Sequence, residues 1–433
     1  MAESKERHAV HPRTAVLTRG FDPSLSLGSA RPAVFRSSTY VFSSPEAAEQ
    51  AFNILGGRAQ AAPGESVDLV YSRFSHPNAE ILEDQIVPLE RGAQAAAAFN
   101  SGMAAIMTAL LTFAQPGDTI VYNVPVYGGT QHLIEDFLEP WGIKAIAAIA
   151  GDGDGLDRVI AEAENLSVVF LETPANPTLV MTDLRRAADA VERRVAAGKS
   201  RPVLIVDNTF LGPAFQHPLR LGCDIVLYSA TKYLSGFSDL LAGVALAADP
   251  ALIRKMKSKR GLFGNILPPD ECWMLNQRLP TVGLRMNRQS KNAQRIAESL
   301  ASHKAIRKVY YPTLFDDAEQ KRIYEKQCDY PGAIVSIDLK GGRPAAFDFL
   351  RKLQVAYNAV SLGSVETLVC HPKSTTHSGF TEEEWATAGI TDGLVRISVG
   401  IEDWRDLLAD FEQALEGLPV EAPASEQESG TRV

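Results

Sequence analysis

The chain holds 433 residues, 45% of them hydrophobic and 22% charged, with no apolar run long enough to cross a bilayer, which excludes a small stapled fold and a membrane span. Its 43 basic against 52 acidic residues give a net charge of −9, which favours solubility and offers no footprint for nucleic acid. Cys223, Cys272, Cys328 and Cys370 lie far apart without metal-like spacing, and residues 1–13 lack an apolar signal core, so a cytoplasmic chain with reduced thiols and no bound metal is expected.

In chain order, the first sixty residues carry Pro, Ser and Gly at many positions and read as an irregular arm of the kind that wraps a neighbouring subunit. Residues 56–68, rich in small residues and turn formers, read as an exposed insertion. From about Gly92 apolar strand-like runs (119–122, 168–171, 203–206, 225–228, 244–247) alternate with helical stretches such as 102–112 and 184–197, the rhythm of a mostly parallel sheet covered on both faces. After Pro268 come a long amphipathic helix (284–300), an alternating strand (Val335, Ile337, Leu339), a helix (344–353) and short strands near 367–370 and 394–399. The domain division expected is an arm and insertion over 1–68, a large domain over 69–267, a smaller one over 268–419, and a disordered polar tail over 420–433.

Strand 203–206 ends in Asp207-Asn208-Thr209 and strand 225–228 in Ser229-Ala230-Thr231-Lys232-Tyr233, so an acid and an amine meet at the carboxyl edge of the sheet, where such folds bind ligands. A lysine amine can condense with an aldehyde and an acid suits a pyridinium nitrogen, the pairing of pyridoxal phosphate enzymes. A random Lys or Asp is more often a solvated or turn residue, and it is the neighbours that favour the chemical role. Ser229 and Thr231 bring hydroxyls beside the amine. Ser101-Gly102-Met103 opens a helix whose first amides favour an anion, although an ordinary serine cap has the same pattern. Tyr127, in Tyr127-Gly128-Gly129-Thr130, could stack on a flat ring or serve as a core or turn tyrosine. Arg396, in an otherwise apolar strand, offers a fork of donors to a carboxylate, with a buried ion pair as the competing role.

Together with Tyr71-Ser72-Arg73, Glu172-Thr173-Pro174-Ala175-Asn176-Pro177, Ser361-Leu362-Gly363 and Val395-Arg396-Ile397-Ser398-Val399-Gly400, these motifs resemble the cystathionine γ-synthase family of pyridoxal phosphate enzymes, the Cys/Met metabolism family, over residues 71–415. The resemblance implies a fold-type I α/β enzyme, with a mostly parallel seven-stranded sheet in the large domain and a smaller C-terminal α+β domain. It implies pyridoxal 5′-phosphate as cofactor, Lys232 as the Schiff-base lysine, Asp207 at the pyridine nitrogen, Tyr127 on the ring, Asn176 near the phenolic oxygen, and Arg396 with Ser361 at the substrate carboxylate. Gly102, Met103, Ser229 and Thr231 would then cup the phosphate. It also implies a homotetramer of two dimers in which Tyr71 and Arg73 hold the phosphate of the neighbouring subunit's cofactor.

The activity expected is γ-elimination on an L-amino acid with a heteroatom leaving group at Cγ, as in methionine γ-lyase, giving 2-oxobutanoate and ammonia. The alternative is γ-replacement on an O-acylhomoserine. Val360 stands where cystathionine-handling members carry Glu, which points to a less cationic substrate. Gly129 and Arg260-Gly261 stand where methionine γ-lyase has a Cys and a Lys-Asp pair, so a pocket unlike the standard methionine site is expected. His76 and Phe237 also depart from the family pattern and are expected to retune substrate access.

Overall fold

The structure is a computed structural model that describes residues 11–62 and 68–420. The expected disordered tail, beyond Val420, lies outside the described residues, as do residues 63–67 of the expected insertion and 1–10 of the N-terminal stretch. Residues 56–62 lie outside helix and strand, with a turn at Gly56-Gly57, and are mostly exposed, as read from their composition.

Seven strands form the larger sheet: β1 (Ala95–Phe99), β2 (Thr119–Val124), β3 (Lys144–Ile149), β4 (Leu166–Glu172), β5 (Val203–Asp207), β6 (Ile225–Ser229) and β7 (Gly243–Ala247). They lie in the order β1-β7-β6-β5-β4-β2-β3; β2 to β6 pair in parallel, and β7 runs antiparallel to both neighbours. The expected mostly parallel, seven-stranded α/β architecture is what the chain adopts. Its central strands are apolar at successive positions because both faces are covered. Val168, Phe170 and Ile205 pack on one face, while Val169, Leu171, Leu204 and Val206 pack on the other, against the helix Leu184–Ala196.

The smaller sheet comprises β8 (Ile306–Tyr310), β9 (Ile334–Leu339), β10 (Tyr357–Asn358), β11 (Leu368–Cys370) and β12 (Leu394–Ser398), in the order β10-β11-β12-β9-β8. It shares a second core with the helices Val282–Leu300, Gly342–Lys352 and Trp404–Leu415. The alternation in β9 suggests one buried face, but both are buried. Ser336 donates to the carbonyl of Pro177 at 2.7 Å, and Asp338 accepts from Thr391 at 2.7 Å, so the polar positions are satisfied internally.

Two departures from the sequence reading have local causes. The arm is not wholly irregular: it contains the helices Pro12–Thr18 and Pro45–Leu55, each with proline in its first turn and a capping side chain, His11 and Ser44. Part of it is seated on its own chain, with Asn78 bonding the backbone of Phe35 and Ala33 and Gln85 donating to Val16 O at 2.7 Å. The strands β1 and β3 are alanine-rich and carry only a weak β-signal of their own; β1 becomes a strand through its register with Ala245 and Ala247 of β7.

Arg260 is fully buried, and its guanidinium joins Glu83, the carbonyl of Ala98 at 2.7 Å and that of Phe74 at 3.1 Å. Burial would raise the Glu83 carboxyl, but Arg260 and Lys257 outweigh it and hold the group down at about 2. Arg260-Gly261 is therefore a packing element within this chain, and a side chain at Gly261 would meet the Phe74 ring at 2.7 Å. Arg260→Ala is predicted to destabilise the fold by about 3 kcal/mol in urea unfolding, because it strands a buried carboxylate. The pair's contribution is present above the ordinary glutamate range and is lost as pH falls from about 4.5 toward 2; an acid midpoint unchanged by Glu83→Gln would contradict this.

Candidate active site

The carboxyl ends of β4, β5 and β6 open into a cavity of about 290 Å³, closed on its other side by the segment around Ser361 and by β12. Its lining includes nine residues singled out by the sequence reading: Gly102, Met103, Tyr127, Asn176, Asp207, Ser229, Thr231, Lys232 and Ser361, with Arg396 as the tenth. Tyr71 and Arg73 are not among the residues lining it. Tyr71 is 41% exposed and pairs with Thr39; Arg73 donates to the carbonyl of Gly261 and lies 4.5 Å from the Phe74 ring centroid.

Lys232 follows β6, and its amine donates to Ser361 Oγ at 2.9 Å. Burial, and then the charge of Arg396, push this amine down to about 8, so it is neutral far more often near physiological pH than an exposed lysine, though still mostly protonated. Asp207, the last residue of β5, accepts from the amide and hydroxyl of Thr209 at 3.0 and 2.6 Å, both on Oδ1. Burial pushes its carboxyl up. Arg396 is 2% exposed and forms no ion pair among the described residues, so the competing role does not hold. It donates to Asn176 Oδ1 at 3.0 Å and to the carbonyls of Val360 and Ser361 at 2.7 and 3.2 Å, while its Nε has no partner.

Ser101 does cap the helix Gly102–Phe113, its hydroxyl accepting from Ala104 N at 3.0 Å, and the amides of Gly102 and Met103 remain without intrahelical acceptors. A Cβ on Gly102 would stand 2.9 Å from that of Ser229, and one on Gly243 would stand 2.1 Å from Ser101 O, so only glycine lets this turn approach the strand ends. Gly129 likewise leaves room for the Tyr127 ring, which a Cβ there would meet at 2.7 Å.

Sequence reasoning gave no role to Glu172, Thr209 or Thr376, all of which line the cavity, nor to the buried His377 next to Thr376. An acid closing an apolar strand at the ligand edge was a usable signal for Glu172. Nothing in the local sequence marks Thr376, whose hydroxyl meets His377 Nδ1 at 2.8 Å. Conversely, His76 and Phe237 do not line the cavity. His76 is a buried cap of the helix Pro77–Ile86, accepting from Ala79 N and donating to the carbonyl of Leu267, and Phe237 packs beneath the Arg278 guanidinium at 4.9 Å.

These residues fit pyridoxal phosphate. They supply a buried amine for its aldehyde, a buried carboxylate for its ring nitrogen, free helix amides against glycine-shaped space for its phosphate, and an unpartnered guanidinium nitrogen for a carboxylate. Comparison with known proteins agrees. The family model described as Cys/Met metabolism PLP-dependent enzyme matches residues 13–416. L-methionine γ-lyase of Fusobacterium nucleatum subsp. nucleatum is 39% identical over 393 residues, covering 90% of this chain and 94% of that protein. L-methionine γ-lyase of Pseudomonas putida is 36% identical over 403 residues, covering 93% and 96%. The crystal structure of cystathionine γ-synthase from Xanthomonas oryzae pv. oryzae in complex with cystathionine superposes with a TM-score of 0.84 at 32% identity, covering 94% of this chain and 98% of that one. The chain belongs to the Cys/Met metabolism family of pyridoxal phosphate-dependent enzymes.

Proposed function

We propose that this protein catalyses γ-elimination on an L-amino acid bearing a heteroatom leaving group at Cγ, releasing 2-oxobutanoate and ammonia. The observation that carries this reading is the convergence on one cavity of a buried amine, a buried carboxylate and a buried guanidinium with a spare donor, in a chain resembling L-methionine γ-lyases over nine-tenths of its length. Bound pyridoxal phosphate supplies an electron sink that makes the hydrogens at Cα and Cβ acidic.

The chain's own residues do the rest. Arg396, held rigid by Asn176 and two carbonyls, binds the α-carboxylate through its unpartnered Nε, with Ser361 beside it. Asp207, fixed on Oδ1 by Thr209, is the residue that would hold the ring nitrogen and keep it protonated. Gly102, Met103, Ser229 and Thr231 receive the phosphate. Elimination at Cγ needs a proton removed first from Cα and then from Cβ. The Lys232 amine, buried and easily neutral, is the group that moves both, and Tyr127 hands its phenolic proton to the departing group. Val360 lines the cavity at the place where an acid would be needed to hold a distal ammonium, which favours an uncharged leaving group.

The similarity to cystathionine γ-synthase favours a second reading, γ-replacement, in which a thiol takes the place of water. The position of Tyr71 and Arg73 outside the cavity supports their serving a neighbouring subunit's phosphate in a homotetramer of two dimers.

Purified enzyme without added thiol is expected to release 2-oxobutanoate from at least one of methionine, cystathionine, O-acetylhomoserine, O-succinylhomoserine and canavanine. Release only when a thiol is added would move the assignment to replacement. Lys232→Ala should abolish turnover together with the visible absorbance of bound cofactor, and persistence of both would remove Lys232 from its role. Because the amine is depressed to about 8, the rate at which cofactor-free enzyme captures pyridoxal phosphate should rise with pH through a midpoint near 8; a midpoint near that of free lysine would contradict the burial argument. Mixing inactive Lys232→Ala with Arg73→Ala subunits should restore activity if sites are shared between subunits, whereas two variants that stay silent after exchange would place each site within one chain.

A further inference from the structure

Glu172 ends β4 and is 5% exposed, yet its carboxylate meets no cation within ion-pair distance among the described residues. Both of its oxygens are committed to backbone amides, each of a residue that lines the cavity. Oε2 accepts from Tyr127 N at 2.8 Å, and Oε1 accepts from Asn176 N at 3.2 Å. The Asn176 side chain in turn accepts from Arg396 Nη1 at 3.0 Å. A single carboxyl group therefore links the aromatic residue of the site to its guanidinium.

The main chain of Glu172 is itself fixed. The side-chain amide of Asn123 on β2 donates to Glu172 O at 2.8 Å and accepts from Glu172 N at 2.7 Å, so the acid leaves the sheet from a clamped backbone. Register sets Glu172 opposite Asp207, which makes the choice of a carboxylate here electrostatically unfavourable. A neutral residue would avoid that repulsion. Burial and the Asp207 charge push the Glu172 carboxyl toward its protonated form, yet each of its two oxygens keeps an acceptor lone pair and can take one of the N–H groups; an amide would turn a donor toward one of them.

We infer that Glu172 is a positioning residue that holds the Tyr127 ring and the Arg396 guanidinium in one fixed relation, so that cofactor and substrate carboxylate are oriented together. This rests on the roles proposed above for Tyr127 and Arg396. It adds a reason for the acid in the Glu172–Pro177 motif: the carboxyl group acts through two backbone amides, with no hydrogen bond to the Tyr127 hydroxyl or the Arg396 guanidinium.

The experiment compares wild-type holoenzyme with Glu172→Gln, Glu172→Asp and, as a buried glutamate away from the cavity, Glu83→Gln. The readouts are thermal midpoint, cofactor content, absorption maximum of bound cofactor, kcat and KM, and the affinity for L-norvaline read from the absorbance change. L-norvaline has no γ-leaving group, so its binding reports orientation whether the reaction is elimination or replacement. Glu172→Gln is expected to keep bound cofactor, shift its absorption maximum, and weaken L-norvaline about tenfold or more. Glu172→Asp, too short to reach both amides, is expected to show the same changes and serves as the deciding variant if Glu172→Gln does not fold. Glu83→Gln should lower the thermal midpoint and leave L-norvaline binding unchanged. Loss of thermal midpoint alone in the Glu172 variants, with absorption maximum, L-norvaline affinity and kcat/KM as in wild type, would overturn the inference. Wild type that releases no 2-oxobutanoate would sink the elimination reading and leave this comparison intact.

Discussion

Glu172 and Asp207 end neighbouring parallel strands in register, so two largely buried carboxyl groups stand side by side at the cavity wall. Burial pushes both toward the protonated form, the charge of Asp207 adds to this for Glu172, and Arg396 is close enough to oppose it there. Such a concentration of acid is tolerable because each carboxylate is already engaged: Glu172 by two backbone amides, Asp207 by the amide and hydroxyl of Thr209. The same crowding that weakens the fold locally gives Asp207 a reason to welcome a cationic ring nitrogen. Lys232, in the turn after β6, completes the arrangement with an amine that burial makes easier to deprotonate.

Structural and chemical charges are kept apart. The Glu83, Arg260 and Lys257 cluster stabilises the junction of β1 with the helices flanking it and lies outside the cavity, although Arg260 occupies a position that the family comparison marked as a substrate clue. Its fully buried guanidinium is spent on Glu83 and two carbonyls, so within this chain it shapes the Phe74 segment and not the substrate. His76 teaches the same lesson, since a histidine in an unusual motif turned out to cap a helix, its two ring nitrogens satisfied by an amide and a carbonyl.

Close backbone approach is the other constraint at the site. Gly102 and Gly243 let the turn before the helix Gly102–Phe113 touch β6 and β7, which brings two free amides to the strand ends that carry Ser229 and Lys232. Without that contact the anion-favouring end of the helix and the amine would face different spaces. Gly129 performs a related task for Tyr127, whose ring lies over the position that a side chain there would fill.

The parallel sheet was legible in the sequence because strands buried on both faces must be apolar at successive positions, and β2, β4, β5 and β6 are. Lys232, Asp207 and Arg396 were legible for the converse reason: a charge inside or at the end of an apolar strand has to be explained by chemistry or by a partner. β1 and β3 were not, since runs of alanine favour a helix until neighbouring strands supply hydrogen bonds and packing. The sequence by itself determined which strands bear chemical groups at their carboxyl ends. Only the tertiary structure decided which of those groups meet. The Glu172 link from Tyr127 to Arg396 joins residues 269 positions apart through backbone amides, which have no signature in the side-chain alphabet.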